Sequence, residues 1–246
     1  MRLTRHTRGF TLVELAVVLL VVTLLLGSVL VPLTTQVEQR KMAEAQQLLD
    51  DTREAIIGFA MINGRLPRPA TSATDGQELS STCASLPDPG KDAVANCTGF
   101  VPWATLGVAR LDPWGKQLRY SVSPGFADSA FTFSTSTTNH KRVCPSAASC
   151  TTPVVSGVPA VILSHGPENW GYRDDGGQFV DSSTTNTDED ANDTKFKCTV
   201  TANCNDFVSR TISKSTAVAG GEFDDLVSWV PNSLLFNRMV AAGRLP

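Results

Sequence analysis

The chain has 246 residues, 41% of them hydrophobic and 18% charged, with a net charge of −3. That length supports one large domain or two small ones with a real core, and the composition is that of a globular protein. Removing the three arginines that precede Gly9 (Arg2, Arg5 and Arg8) takes the charge from −3 to −6, which argues against a nucleic-acid partner, because phosphate neutralisation needs clustered Lys and Arg.

The first element in chain order is the run "RGFTLVELAVVLLVVTLLLG", Arg8 to Gly27. From Phe10 to Val31 only Thr11, Glu14, Thr23 and Ser28 are polar. A helix over 10–31 covers about 33 Å, enough to cross the hydrocarbon of a bilayer. The leading arginines place the N-terminus on the cytoplasmic side and everything after Val31 beyond the membrane. A secretory signal peptide fits badly: its small-residue cleavage site follows the apolar stretch, whereas Gly9 precedes it. One carboxylate, Glu14, lies near the front of the run, where a charge costs about 2.5–3.5 kcal/mol even on lenient scales. Either it snorkels to the headgroups or a partner charge meets it.

Pro32 removes a backbone donor directly after the span, so a kink or local melting of the helix is expected there. Beyond it, Leu33, Val37, Ala45, Leu48, Leu49, Ala55, Ile56, Phe59 and Ile62 recur at three- and four-residue steps. This is an amphipathic continuation over 32–64, ended by Gly64 and Pro67. Residues 65–246 form a β-rich head. After a loop-like stretch over 70–99 come the β-like runs "KQLRYSV", "AFTFS", "PAVILS", "GQFV", "KFKCTV", "FVSRTIS" and "DDLVSWV", separated by turn residues as in an antiparallel sheet. The closing "NSLLFNRMVAAGRLP" reads as a short helix capped by Asn232 or Ser233, with Leu234, Leu235, Met239 and Val240 on its apolar face and Gly243 as its stop. The expected class is α+β: a long N-terminal helix, transmembrane in its first half, packed on an antiparallel β-sheet with disulfide-stapled loop insertions.

The six cysteines fall as three sequential pairs, Cys83 and Cys97, Cys144 and Cys150, Cys198 and Cys204. Behind a membrane-targeting segment they read as disulfides of an oxidising compartment, nearest neighbours paired. Structural zinc is the rival, but it prefers closer ligand spacing than two Cys-x5-Cys units. No enzyme is expected. Outside the leader only His140 and His165 remain, neither with a nucleophile or metal partner by spacing, and Ser164 and His165 are adjacent, so in an extended run their side chains point apart. "DEDAND" opens like a calcium loop, with Asp188, Asp190 and Asn192 at alternate positions. It departs from that pattern at Asp193, where Gly is needed, and at Thr199, where the bidentate Glu belongs. A solvated Thr/Asp-rich loop tip is the other reading of this segment.

"RGFTLVEL" resembles the prepilin processing site of type IV pilins and of the pseudopilins of type II secretion, which makes the expected fold pilin-like. The resemblance implies a leader over 1–9, cut after Gly9 by a prepilin peptidase, with N-methylation of Phe10. It also implies that Glu14 pairs with the α-amino group of Phe10 on a neighbouring subunit. Glu14 then sets axial register in the filament, as one buried polar residue does in a coiled coil, and the break at Pro32 lets the helix adjust. "LDPWGKQLRYSV" is similar to the stretch entering the sheet of major pseudopilins, through Asp112, Trp114, Gly115 and Tyr120. "ILSHGPENWGYRDDGG" ahead of "FDDLVSW" resembles their calcium loop, which implies Ca²⁺ ligands among Asp174, Asp175, Asp224 and Asp225, with Asp188 and Asp190 as further candidates.

The function so implied is that of a structural subunit of a type IV filament machine, either a minor pilin or a type II secretion pseudopilin. Its implied place is the bacterial inner membrane, single-pass, with the N-terminus cytoplasmic and the head periplasmic, and then a periplasmic or extracellular filament. Implied partners are other pilins or pseudopilins, the prepilin peptidase, the inner-membrane assembly platform, and exported proteins or a surface ligand. The alternative is a membrane-anchored extracytoplasmic binding or adhesion protein that joins no filament.

Overall fold

A computed structural model describes residues 9–83, 97–135, 141–195 and 205–245, the side chains of 26–33, 194 and 195 excepted. The chain divides into two units, residues 1–43 and 44–246. Helix α1, Leu12–Asn63, contributes to both and runs unbroken through Pro32, where the sequence places a kink or local melting. Of the expected leader, 1–9, residues 1–8 lie outside the described residues.

In the first unit every large apolar side chain from Phe10 to Leu25 is exposed. Among the described residues no helix is long and apolar enough to cross a membrane. The apolar run of the sequence continues into 26–33, whose side chains lie outside the described ones.

The second unit is built on a four-stranded antiparallel sheet. Its strands are β1 (Thr98–Phe100), β2 (Arg119–Val122), β5 (Ala160–Ser164) and β7 (Leu226–Val230), in that spatial order. A second sheet has the order β4 (Val155–Val158), β3 (Lys141–Cys144), β6 (Asp206–Val208), with β3 antiparallel to β4 and parallel to β6. All five residues of β5 are buried. Successive side chains of a strand point to opposite faces, so Ala160 and Ile162 join Leu49, Ile56, Ile57 and Ala60 of α1 in the main core. Val161 and Leu163 join Val143, Val158 and Phe207 in the core between the sheets. The stripe on residues 44–63 thus finds its partner in the sheet, as its periodicity requires.

Helix α5, Asn232–Ala241, closes the main core with Leu235 and Met239 and ends before Gly243, whose φ is +69°. Its N-cap is Pro231, without a side-chain cap, and Asn232 instead donates through Nδ2 to the Gly157 carbonyl. Val240, expected on the apolar face, is largely exposed. Two short helices, α2 (Trp103–Leu106) and α3 (Pro124–Ala127), fill connections, and α4 covers Thr187–Lys195.

Two of the expected strands differ. "AFTFS" is irregular, and "GQFV" forms only an isolated bridge from Gln178 to Tyr172. "KFKCTV" beyond Lys195 lies outside the described residues. Cys83–Cys97 and Cys144–Cys150 are disulfides, in the nearest-neighbour pairing, so these sulfurs do not serve zinc. Cys198 and Cys204 lie outside the described residues, as does His140.

Ile56 is fully buried where α1 meets the sheet, whereas Ile62 is 70% exposed. Ile56→Ala is expected to cost about 2–5 kcal/mol and Ile62→Ala under about 0.5 kcal/mol. Urea unfolding of the detergent-solubilised chain, followed by tryptophan fluorescence, checks both through the midpoint at constant slope.

Candidate functional site

Two places gather the residues of interest, one in each unit. Gly9 and Phe10 lie in exposed, irregular chain directly ahead of α1. Glu14 sits in the first turn, where a helix favours negative charge. Its backbone N–H donates to Thr11 Oγ1 at 3.2 Å, and its Oε2 accepts from the Thr11 N–H at 3.3 Å. That reciprocal pair is a capping box. Thr11 escaped the sequence reading, although the Thr-x-x-Glu spacing that signals the box is plain in "TLVE".

In the head, the "DPWG" segment forms a turn in which the Gly115 N–H donates to the Asp112 carbonyl at 3.0 Å. Asp112 Oδ1 accepts from the N–H groups of Trp114 and Lys116 at 3.0 and 2.8 Å, and its Oδ2 accepts from Ser164 Oγ at 2.7 Å. Burial pushes the Asp112 carboxyl up, against the pull of these donors. Gly115, at φ +79°, supplies the left-handed turn position. Tyr120, four residues past Lys116, is fully buried, with its hydroxyl on the Pro67 carbonyl at 3.1 Å.

The turn delivers Lys116 into the loop that follows β5. The side chain is buried, and its Nζ donates to the carbonyls of His165, Glu168 and Asn169 at 3.2, 2.6 and 2.6 Å. Burial lowers the Lys116 pKa, and the fields of Asp224, Asp112, Asp225 and Glu189 oppose that shift.

The segment expected as a calcium-like opening or a solvated loop tip, "DEDAND", is neither: it is the core of α4, with Asp188, Glu189, Asn192 and Asp193 buried. Burial of such groups is tolerated where partners meet them. Asp188 Oδ2 accepts from Arg210 Nε at 2.7 Å, and its Oδ1 from the Ala147 N–H at 2.7 Å. Glu189 Oε1 accepts from the Asp224 N–H at 2.7 Å, and its Oε2 from Asn186 and Asn169. Asp190 accepts from the Trp170 indole at 3.0 Å. Asn192 Nδ2 donates to Asp225 Oδ2 at 2.7 Å.

The other oxygen of Asp225 lies 3.1 Å from His165 Nδ1. Ser164 and His165 therefore engage different carboxylates, Asp112 and Asp225. Asp224 accepts from the Glu168 N–H at 2.8 Å, and burial together with the neighbouring Glu189 carboxylate pushes its carboxyl up to about 8.

The six aspartates expected near calcium stand in different settings. Asp224 and Asp225 lie at the 165–171 loop and Asp190 reaches it through Trp170, Asp188 is held by Arg210, and Asp174 and Asp175 lie on an exposed turn. Among the described residues, three His, Cys, Asp or Glu ligand atoms come within 4.8 Å of one another in two places. Each is a disulfide beside an aspartate, Asp128 or Asp206. Lys116 and Glu189 were missed from sequence because each is read through residues distant in the chain.

The prokaryotic N-terminal methylation motif, the signal motif of type IV pilins and pseudopilins, matches residues 4–30. The match includes Gly9, Phe10 and Glu14 and supports a type IV pilin-like substrate of prepilin peptidase. No curated protein and no solved structure matches the chain.

The folded head keeps a proton on the Asp224 carboxyl up to about pH 8, whereas the unfolded chain releases it near the ordinary 3.8. The folded state thus binds more protons in between. The associated stability is fully present below the ordinary carboxylate range and is lost as pH rises towards about 8. Thermal unfolding from pH 5 to 8 should show the wild-type midpoint falling, and Asp224→Asn flattening that slope with higher stability at pH 8.

Proposed function

We propose that the chain is a low-copy structural subunit of a type IV filament machine. It is made as a prepilin, cut after Gly9, methylated at Phe10, and held in the bacterial inner membrane through 10–31 with its head in the periplasm. It then joins other pilins or pseudopilins through Glu14, by way of the assembly platform. The observation that carries this reading is the methylation motif over 4–30 set on a helix whose apolar side chains from Phe10 to Leu25 are all exposed. That much contiguous apolar surface calls for a membrane or for neighbouring helices.

The capping box supports a particular way for Glu14 to change partners. In the single chain its carboxylate accepts a neutral N–H from Thr11. A neighbour's α-amino group would replace that single charge-assisted bond with a full ion pair, which adds the attraction of a whole positive charge at the same carboxylate.

A bulky head crowds a densely repeated filament surface, which favours low copy number. The "DPWG" turn and the 164–171 loop favour a pseudopilin of type II secretion acting on exported proteins. The Cys83–Cys97 and Cys144–Cys150 insertions favour the second reading, a minor pilin that displays them to a surface ligand.

Substituting Glu14→Ala in the native host tests assembly. The cleaved protein is expected in the envelope at normal level, with its recovery in filaments reduced by at least about tenfold, since losing one partner of a buried ion pair costs several kcal/mol. Thr11→Ala, which removes the cap and keeps the carboxylate, is expected to change recovery by no more than about twofold. Undiminished recovery of Glu14→Ala in filaments would contradict the assembly role of Glu14, and absence of the wild-type protein from filaments, with Glu14→Ala unchanged in the envelope, would favour the anchored binding protein instead.

A further inference from the structure

We infer that the Lys116 ammonium is a built-in cation that orders the 165–171 loop, at the place where the resemblance to major pseudopilins implies calcium, and that the head consequently needs no divalent ion. Three carbonyl oxygens from one loop, those of His165, Glu168 and Asn169, converge on Nζ at 2.6–3.2 Å. Convergent carbonyls are what a hard cation takes from a protein. An ammonium has three donors, so this cradle uses its full capacity. The loop is also shaped around the lysine stem: a Cβ on Gly171 would lie 2.8 Å from Lys116 Cδ and 3.3 Å from Cγ. Asn169 and Trp170 are held at φ +38° and +24°, a conformation that side chains seldom adopt. The bonds to Lys116 and from Trp170 to Asp190 hold them there.

The carboxylates around the lysine balance its charge but are committed elsewhere. Asp112 serves Ser164 and two backbone N–H groups, and Asp225 serves His165 and Asn192. Glu189 serves two asparagines and the Asp224 N–H. Asp224 keeps one oxygen, Oδ1, without a hydrogen bond, and a Cβ on Gly166 would meet that oxygen at 2.8 Å. One spare oxygen in so close a space does not serve Ca²⁺, which takes about six to eight. Of the remaining candidates, Asp188 serves Arg210 and the Ala147 N–H, Asp190 takes the Trp170 indole, and Asp174 and Asp175 are exposed on their own turn. The residues present fit an ammonium and do not fit a divalent ion.

The inference concerns the head and stands whether or not the chain joins a filament. Its test is thermal unfolding of the full detergent-solubilised chain in millimolar calcium chloride and in excess EDTA. Wild type is expected to unfold at the same temperature in both, to within about 1 °C, because nothing binds the folded state alone. Lys116→Met, which keeps the length of the stem and removes the charge, is expected to unfold roughly 5–15 °C lower in both media, since three buried carbonyls lose their donor. A rise of roughly 5–10 °C in wild type on adding calcium, the shift expected of a site saturated about a hundredfold, would overturn the inference. So would a Lys116→Met midpoint equal to that of wild type. The wild-type comparison decides the matter even if the variant cannot be recovered folded.

Discussion

Strand β5 is the constraint on which the head is organised. A five-residue strand buried on both faces must be covered twice, and its alternation assigns the covers: residues 44–63 of α1 and α5 on one side, the β4-β3-β6 sheet on the other. Its neighbours β2 and β7 complete its backbone hydrogen bonds, so neither edge is left open. Because the strand is fixed on every side, the residues that leave its C-terminal end are fixed too. Ser164 meets Asp112, His165 meets Asp225, and the carbonyls of the following loop close on Lys116.

That junction concentrates charge in the interior at an unusual density, and it remains folded because the charges are apportioned. The Lys116 ammonium is spent on carbonyls and Arg210 on Asp188, while burial pushes both the Glu189 and the Asp224 carboxyls up, with Asp225 adding to the push on Glu189 and Glu189 to that on Asp224. Breaking one member leaves an uncompensated group in a low-dielectric site, which is why such networks specify one arrangement of loops more than they add stability.

The legible parts of the chain were those whose signal is local. The processing segment is a contiguous motif. The stripe on α1 repeats at helical steps, and β2, β5 and β7 stand in apolar runs bounded by turn residues. The pairings Cys83–Cys97 and Cys144–Cys150 follow from nearness in the chain. The illegible parts depend on distant residues. "DEDAND" looks solvated by composition, yet Arg210, Asn186 and Asn169 arrive from elsewhere to meet its carboxylates. Strands β1, β3 and β4 are three or four residues long and, unlike β2, stand in no longer apolar run that would mark them. Lys116 reads as the first residue of a strand, and only the loop fifty residues on reveals what its ammonium holds.

The head holds Lys116, Asp188, Glu189 and Asp225 in internal hydrogen bonds, whereas the large apolar side chains of the N-terminal unit from Phe10 to Leu25 are exposed. A processed, membrane-held filament subunit has this division of labour. The most direct measurement is mass spectrometry of the N-terminal peptide from sheared surface fibres and from washed envelopes. The account predicts a methylated peptide that begins at Phe10: in the fibres for a surface pilus, confined to the envelopes for a secretion pseudopilus. An intact peptide beginning at Met1 in both fractions would contradict it.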